Sequence, residues 1–507
     1  MKEVSEILIP RLEAIQNSFS GIFPELLLTL TFLALLLIDL FVKKRKNAFL
    51  HFTTIAGISV ALYLLTLQWE TIGLKGNMDL FLGMLSLTSF SVFFKFLFSI
   101  SSLITVLFLL GNEPNSKQKG LGEFYEILLL SLIGLNCTVM AENLLMLYLS
   151  IEFVSISGYI LVLFLLNKQS AEGSLKYFLF GVISSAVMLY GMSLLYGLSG
   201  SLAFEGIFSN TALNTNNTVL LLVLFLTLGG FLFKTALFPF HFWTPDVYEA
   251  APTSVSAFLS VAPKAAGFAV ILKLFYPLFQ QLNRAEITIV LSTLAFITLA
   301  IGNFSAIWQN NGKRLLAYSS IAHSGFILLG IIAFSNTGIK SVIYYTSIFL
   351  PMNFAAFILV QMVSDLAGSE DVRKFAGIGI KFPLTGVIFV IVMIALTGLP
   401  PTAGFYAKLF VFSALWETYQ ASGNELLLYL LLFGLLNTVV ALFYYLKIPY
   451  IMFFKESKGD YNPIKNSLLN KTLVSLLAFV ILWIFFSPEW LMEHIDTINL
   501  NFLHIPL

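Results

Sequence analysis

Six ionisable residues stand inside stretches that are otherwise apolar: Glu152, Lys176, Lys234, Lys264, His323 and Lys408. Glu152 lies in Leu149-Ser150-Ile151-Glu152-Phe153, and Lys264 in Val261-Ala262-Pro263-Lys264-Ala265. Lys234 precedes Pro239, and Lys408 follows the double proline Pro400-Pro401. A charge at the centre of a bilayer costs about 2.5–3.5 kcal/mol on insertion scales, so such residues normally face the protein interior and do work there. The chemistry that suits them is proton transfer. Burial disfavours a charged amine and a neighbouring carboxylate favours it. A Glu–Lys pair that opens and closes therefore switches the proton affinity of the amine, and a row of such groups bridged by water is a relay. Glu152, Lys234, Lys264 and Lys408 are read as relay groups because their depth leaves no simpler role.

Other charges have competing readings. Lys176 is either part of the relay or a side chain that snorkels to the headgroups. His323 is either a relay group or a hydrogen-bonded core histidine. His241, beside Trp243, either stabilises a helix break or moves protons. Lys95, Lys273 and Lys340 lie nearer to the ends of apolar runs and are read as snorkelling. Asp39 is expected to pair with the basic run that follows it, and Glu142 to sit at the membrane interface.

The elements that position these residues follow from composition. Of 507 residues, 58% are hydrophobic and 11% charged, and the mean hydropathy is +0.89. A soluble domain carries roughly 25% charged residues, so neither a soluble fold nor a disordered chain fits. The net charge of +1 gives no general attraction to nucleic acid, and the bilayer is the expected partner. A single cysteine, Cys137, makes no internal disulfide and holds no iron–sulfur cluster. There is no G-x-G-x-x-G, Walker A or H-E-x-x-H pattern and no metal-ligand spacing, so no cofactor or metal site is expected in this chain.

At roughly 20 residues per crossing, fourteen spans are expected. They fall near 23–42, 49–67, 90–110, 124–140, 143–166, 175–198, 218–250, 252–276, 286–308, 313–333, 338–364, 382–416, 425–447 and 470–487. A short amphipathic piece at 78–88 precedes the third. The fold class is all-α, a polytopic membrane protein. Residues 1–22 lack the order of a signal peptide and are read as an N-terminal segment on the outer face. With this count, 17 Lys and Arg in the loops fall on one side and 4 on the other. The basic side is cytoplasmic, which places both termini outside.

Two spans, 218–250 and 382–416, are too long for one straight helix. Each contains a proline break, Phe238-Pro239 through Thr244-Pro245 in one and Gly398-Leu399-Pro400-Pro401 in the other. Broken helices at matching places in two halves of a chain point to inverted repeats around an ion path. The expected organisation is spans 1–3 over 23–110 and a first five-helix inverted repeat over 124–276 (spans 4–8). A second repeat follows over 286–447 (spans 9–13), then a last span at 470–487.

The stretch Phe233-Lys234-Thr235-Ala236-Leu237-Phe238-Pro239-Phe240-His241-Phe242-Trp243-Thr244-Pro245-Asp246-Val247-Tyr248-Glu249-Ala250-Ala251-Pro252 resembles the signature of the antiporter-like membrane subunits of respiratory complex I, the proton-pumping NADH:quinone oxidoreductase. Leu396-Thr397-Gly398-Leu399-Pro400-Pro401 through Lys408 resembles the broken twelfth helix of that family, and Arg314-Leu315 through His323-Ser324-Gly325 its tenth span. The resemblance runs through roughly 120–450. At Pro245-Asp246-Val247-Tyr248 it is closer to one branch of the family than to the others or to multisubunit sodium/proton antiporters.

The resemblance implies a role for each matched residue. Glu152 and Lys176 would form the Glu–Lys pair of a first half-channel. Lys234 would be the broken-helix lysine, Lys264 the connecting lysine, His323 a bridging group and Lys408 the terminal lysine. Two positions depart from the pattern. Ala250 stands where glycine is usual, and Pro263 immediately before Lys264 is expected to kink the eighth span. The resemblance further implies a bacterial inner-membrane location and partners among the antiporter-like and small membrane-arm subunits of complex I. NADH, flavin (FMN), iron–sulfur clusters and quinone would be handled by other subunits. A sodium/proton antiporter subunit is the nearest rival, and a purely structural membrane scaffold is the alternative of a different class.

Overall fold

The computed structural model of the chain describes residues 2–42, 45–112, 120–214, 217–456 and 467–500. Lys43, Lys44, Lys117, Lys119, Lys458 and Lys465, part of the expected charge bias, lie outside them.

Apolar runs of bilayer length become helices because only a helix satisfies its own backbone in lipid. After α1 (Lys2–Ser18) come α2 (Phe23–Phe41), α3 (Lys46–Lys75), α4 (Ser89–Gly111), α5 (Leu121–Met140), α6 (Leu144–Leu163) and α7 (Lys168–Ser199). The short α8 (Phe204–Asn214) leads into α9 (Asn217–Thr235), α10 (Trp243–Ala250) and α11 (Thr253–Val270). A π-turn at Ile271–Phe275 joins α11 to α12 (Tyr276–Gln281). The second half holds α13 (Arg284–Ile307), α14 (Gly312–Ile332), α15 (Asn336–Ala367), α16 (Ile378–Lys381), α17 (Pro383–Thr397), α18 (Ala403–Ser422) and α19 (Glu425–Phe454). It closes with α20 (Leu468–Phe486) and α21 (Pro488–Asp496). Polar caps set the starts: Thr88 and Ser91 form a capping box on α4, Asn167 and Ser170 another on α7, and Asn143 caps α6.

Among the described residues thirteen helices are long and apolar enough to cross a membrane. Where the twelfth span is expected, the chain forms the shorter apolar helix α17 followed by α18. The piece at 78–88 is a β-hairpin, with Met78 opposite Leu87 and Leu80 opposite Leu85. Gly83, at φ 81°, helps it turn, and it is anchored by a bridge from Leu85 to Ala141.

Both breaks form where expected. α9 ends at Thr235, and the chain passes through Ala236 at φ 56° and a cis Phe238-Pro239 bond before α10 begins. The freed Phe238 N–H donates to Thr298 Oγ1 of α13 at 3.1 Å, so a neighbouring helix satisfies the interrupted backbone. α17 ends at Thr397 and is capped by Gly398, whose φ of 87° suits glycine, and α18 starts after a cis Pro400-Pro401 bond. α11 continues as helix on both sides of Pro263, and an irregular turn follows at 271–275.

α11 is the axis of the molecule. It packs against α4, α5, α9 and α15, and its membrane window is wholly buried. α14 and α15 are almost as enclosed, whereas α2, α7, α19 and α20 lie at the periphery. Charges on α11 and α14 are therefore held far from lipid by packing.

Candidate functional site

Lys234 sits at the last turn of α9, directly before the break. Its Nζ is buried and has no hydrogen-bond partner among the described residues. Aromatic faces surround it, with the rings of Tyr177 and Phe233 at 5.6 Å and Tyr159 at 6.0 Å. Such faces attract a cation electrostatically but take no hydrogen bond from it. The carboxylate whose field reaches it is that of Glu152. Glu152 is half-buried on α6 and accepts a hydrogen bond from Ser185 of α7.

Lys264 lies eleven residues into α11, about 16 Å along the axis, near the middle of a hydrocarbon core about 30 Å thick. Its Nζ donates to Ser320 Oγ at 2.6 Å, to the Ser320 carbonyl at 2.9 Å and to Ser324 Oγ at 3.3 Å. A cavity of about 10 Å³ beside it is lined by Ser324, Thr346 and Phe349 among others, room for about one water.

His323 follows Ser320 by one turn of α14. Its Nδ1 lies 2.7 Å from Tyr345 Oη and its Nε2 3.0 Å from Tyr445 Oη, and Tyr445 also contacts the Ser319 hydroxyl. Two phenols, each able to donate or accept, satisfy a neutral imidazole in either tautomer. The histidine is within electrostatic reach of both Lys264 and Lys408. Lys408, on α18, donates to the Thr397 carbonyl at 2.7 Å and lies 4.3 Å from the Phe326 ring centre. A cation is thus placed on the free carbonyls at the C-terminal end of α17, where the helix dipole favours it.

Lys176 departs from its implied partnership. Its Nζ is 2.9 Å from Asp246 of α10 and 2.9 Å from Glu172, and its side chain is 40% exposed. Glu152 instead meets Ser185, nine residues further along α7, about 13 Å of rise. The Glu152–Lys176 pair is therefore not formed. Lys176 belongs to an ionic cluster in which Arg314 bridges Asp246 at 2.8 Å and Glu249 at 2.9 Å, and Lys313 meets Glu370 at 2.8 Å. A cavity of about 230 Å³ opens between Glu172, Lys176, Asp246, Glu249 and Arg314. Ala250 packs its Cβ against Gly173 of α7, where a second Cβ would stand 2.4 Å away.

Two lysines read as snorkelling are buried ion pairs. Lys95 is fully enclosed, 2.8 Å from Glu25 and 3.0 Å from Gln68 Oε1, and Asn136 also donates to Glu25. Lys273, in the π-turn, meets Glu142 at 2.9 Å and the Val139 carbonyl at 3.1 Å. Sequence position near a span end misled here, because α4 turns Lys95 inward onto Glu25 of α2 and Gln68 of α3, and the π-turn carries Lys273 to Glu142 between α5 and α6. The signal available was that Glu25 and Gln68 are themselves polar residues in apolar runs. Lys340 pairs at a half-exposed site with Asp496 at 2.6 Å, as a span end suggests, and Asp39 pairs with Lys46 at 2.8 Å. His241 is buried in the first break, its Nδ1 unpartnered among the described residues, against Phe242 at 4.2 Å.

Two broken helices, each carrying a lysine at the break, and a fully enclosed helix with a lysine at mid-depth define a polytopic membrane protein of the antiporter-like class. Residues 141–436 match the family model described as NADH:quinone oxidoreductase/Mrp antiporter, transmembrane. The chain belongs to that family. A relative from Chloroherpeton thalassium, NADH-quinone oxidoreductase subunit N 2, is 37% identical over 493 residues, covering 94% of each chain. Among solved structures, a chain of respiratory complex I from Thermus thermophilus with bound aureothin superposes with a TM-score of 0.77 at 28% identity, over 93% of this chain and 99% of that one. A chain of the Mrp complex from a Dietzia species gives 0.82 at 18% identity, over 95% and 97%, a likeness of fold.

Proposed function

We propose that this chain is the subunit N component of a proton-pumping NADH:quinone oxidoreductase, and that Glu152, Lys234, Lys264, His323 and Lys408 move protons across its membrane arm. The observation that carries the reading is the succession of enclosed amines along the axis. Lys234 is at one break, Lys264 is held by Ser320 on α14, His323 follows on the same helix, and Lys408 is at the other break. Each link joins groups able to give and take a proton, and each amine is screened from lipid. Lys176 contributes through the ionic cluster at the ends of α7, α10 and α14 rather than as the partner of Glu152. The 37% identity to a subunit N relative favours this assembly over a sodium/proton antiporter.

In this reading the helices around the two breaks form two inverted five-helix repeats, over 124–276 and 286–447, with 23–110 and 470–487 flanking them. The protein spans the bacterial plasma membrane with both termini outside. Quinone reduction, flavin and iron–sulfur clusters belong to partner subunits, and this chain supplies the charged row that answers them.

The test is Lys234→Ala and Glu152→Gln in the assembled complex. Pumping is expected to collapse while assembly persists. A mutant complex with full quinone reductase activity and a full pH gradient would overturn the reading in favour of a scaffold. A gradient that instead follows sodium would favour the antiporter.

A further inference from the structure

Three phenols stand close to the two lysines, Tyr159 and Tyr177 beside Lys234 and Tyr248 beside the serine that holds Lys264. Tyr159, Tyr177 and Tyr248 are all buried, Tyr248 completely. Tyr159 and Tyr177 meet edge to face at 4.8 Å, and both rings flank Lys234 Nζ. Tyr177 stacks on Trp243 at 4.4 Å, and Trp243 meets Tyr248 at 5.9 Å. Tyr177 lies within electrostatic reach of both other phenols. Tyr248, on α10, stands beside Ser320, the residue whose hydroxyl holds Lys264 at 2.6 Å. Yet Tyr248 Oη makes no well-aligned hydrogen bond among the described residues.

That last fact asks for a reason. A buried hydroxyl left unpaired costs about 1–3 kcal/mol, and phenylalanine would fill the same ring space without the cost. Packing explains the ring of Tyr248 but not its oxygen. A phenol accepts a proton on its lone pair while giving up its own, and this one sits one hydroxyl away from Lys264.

We propose that Tyr248, backed by Tyr177, passes the proton between Lys234 and Lys264. This rests on the proton-transfer reading above and adds the groups that close its first gap. The step balances without an oxidant or co-reactant. The Lys234 ammonium releases a proton toward the phenols, Tyr248 O–H gives its proton to Ser320 Oγ and regains one from the Lys234 side, and Ser320 O–H protonates the neutral Lys264 amine. Only O–H and N–H bonds exchange, and the net change is one proton moved from Lys234 to Lys264.

The experiment uses the whole complex in vesicles, with Tyr248→Phe, 3,5-difluorotyrosine at position 248, and Lys264→Ala as reference. Tyr248→Phe keeps the ring and is expected to lower the gradient formed per quinone reduced. The fluorinated residue keeps the hydroxyl but acidifies it, and is expected to shift the pH profile of pumping, which a packing role does not do. If both variants keep the wild-type gradient and profile while Lys264→Ala loses the gradient, the phenol only packs: the proposal falls and the proton reading stands. If Lys264→Ala itself keeps a full gradient, the underlying reading falls and the proposal with it. Should Tyr248→Phe fail to assemble, the fluorinated chain alone decides.

Discussion

Lys176 on α7 reaches Asp246 on α10 at 2.9 Å, and Asp246 is shared with Arg314 of α14 at 2.8 Å. One carboxylate therefore ties the outer helix α7 to the enclosed helix α14 through the short helix that follows the first break. Because Lys176 is partly exposed, its own pair is worth about 0.2–1 kcal/mol. Lys176→Ala should leave Asp246 bound to Arg314, keep the complex assembled, and reduce pumping less than Lys234→Ala does. Asp246→Asn, which loses both partners, should be the more damaging of the two. Equal loss of pumping in Lys176→Ala and Lys234→Ala would return Lys176 to the relay.

The Lys95–Glu25 pair makes a sharper demand. Removing one member of a buried pair strands the other charge and costs about 3–5 kcal/mol, whereas replacing both with apolar or neutral groups is often close to neutral. Lys95→Met should therefore lower the thermal stability of the detergent-solubilised protein strongly. Lys95→Met with Glu25→Gln should recover most of it. A double mutant as unstable as the single one would show that the pair does more than satisfy itself.

At the first break, Thr298 Oγ1 accepts the Phe238 N–H at 3.1 Å. Thr298→Val keeps the shape and removes the acceptor, leaving a buried donor unpaired at a cost of about 1–3 kcal/mol. The expected result is a modest fall in stability with a larger fall in pumping, since Lys234 hangs from the same segment. Thr298→Ser should restore both.

The second break depends on close approach. A Cβ on Gly404 would stand 1.9 Å from the Ala395 carbonyl oxygen, a backbone atom that cannot step aside. Gly404→Ala should push α18 off α17, at the 1–3 kcal/mol or more typical of overpacking, and loosen the Lys408 contact with Thr397. Slower pumping with normal quinone binding in the assembled complex is the expected readout. Wild-type behaviour would mean that the two half-helices need not touch.

Outside the spans, Arg373 holds the Asp371 carboxyl below the usual carboxylate range through hydrogen bonds to its side chain. The folded value is depressed, so the stabilisation is present above the ordinary aspartate range and is lost as pH falls through the lowered value. Exchange of the Arg373 amide, which donates to Asp371 Oδ1 at 3.0 Å, should stay slow relative to its intrinsic rate at mildly acidic pH and speed up only at lower pH. Asp371→Asn should remove that dependence.

The residues that read correctly from the chain share one property: their position along a single helix decides their meaning. Hydropathy length placed the spans, proline placed both breaks, and depth within an apolar run marked Lys234, Lys264 and Lys408 as enclosed. The hairpin at 78–87 was visible as a short amphipathic piece but not as paired strands; the strands are three residues each and pair with one another, and Leu85 is further bridged to Ala141, fifty-odd residues away.

Which charges meet was decided only by the packing of helices against one another. The family resemblance implied Lys176 as the partner of Glu152, but rise along α7 carries Ser185 to Glu152 and leaves Lys176 to Asp246. Nearness to a span end suggested that Lys95 and Lys273 escape to water. Rotation of α4 instead aims Lys95 at Glu25 of α2, and the π-turn after α11 aims Lys273 at Glu142 between α5 and α6. The physical reason is general. The cost of a buried charge depends on depth, which sequence encodes, whereas its partner depends on the rotation and crossing of separate helices, which arises from contacts among residues far apart in the chain.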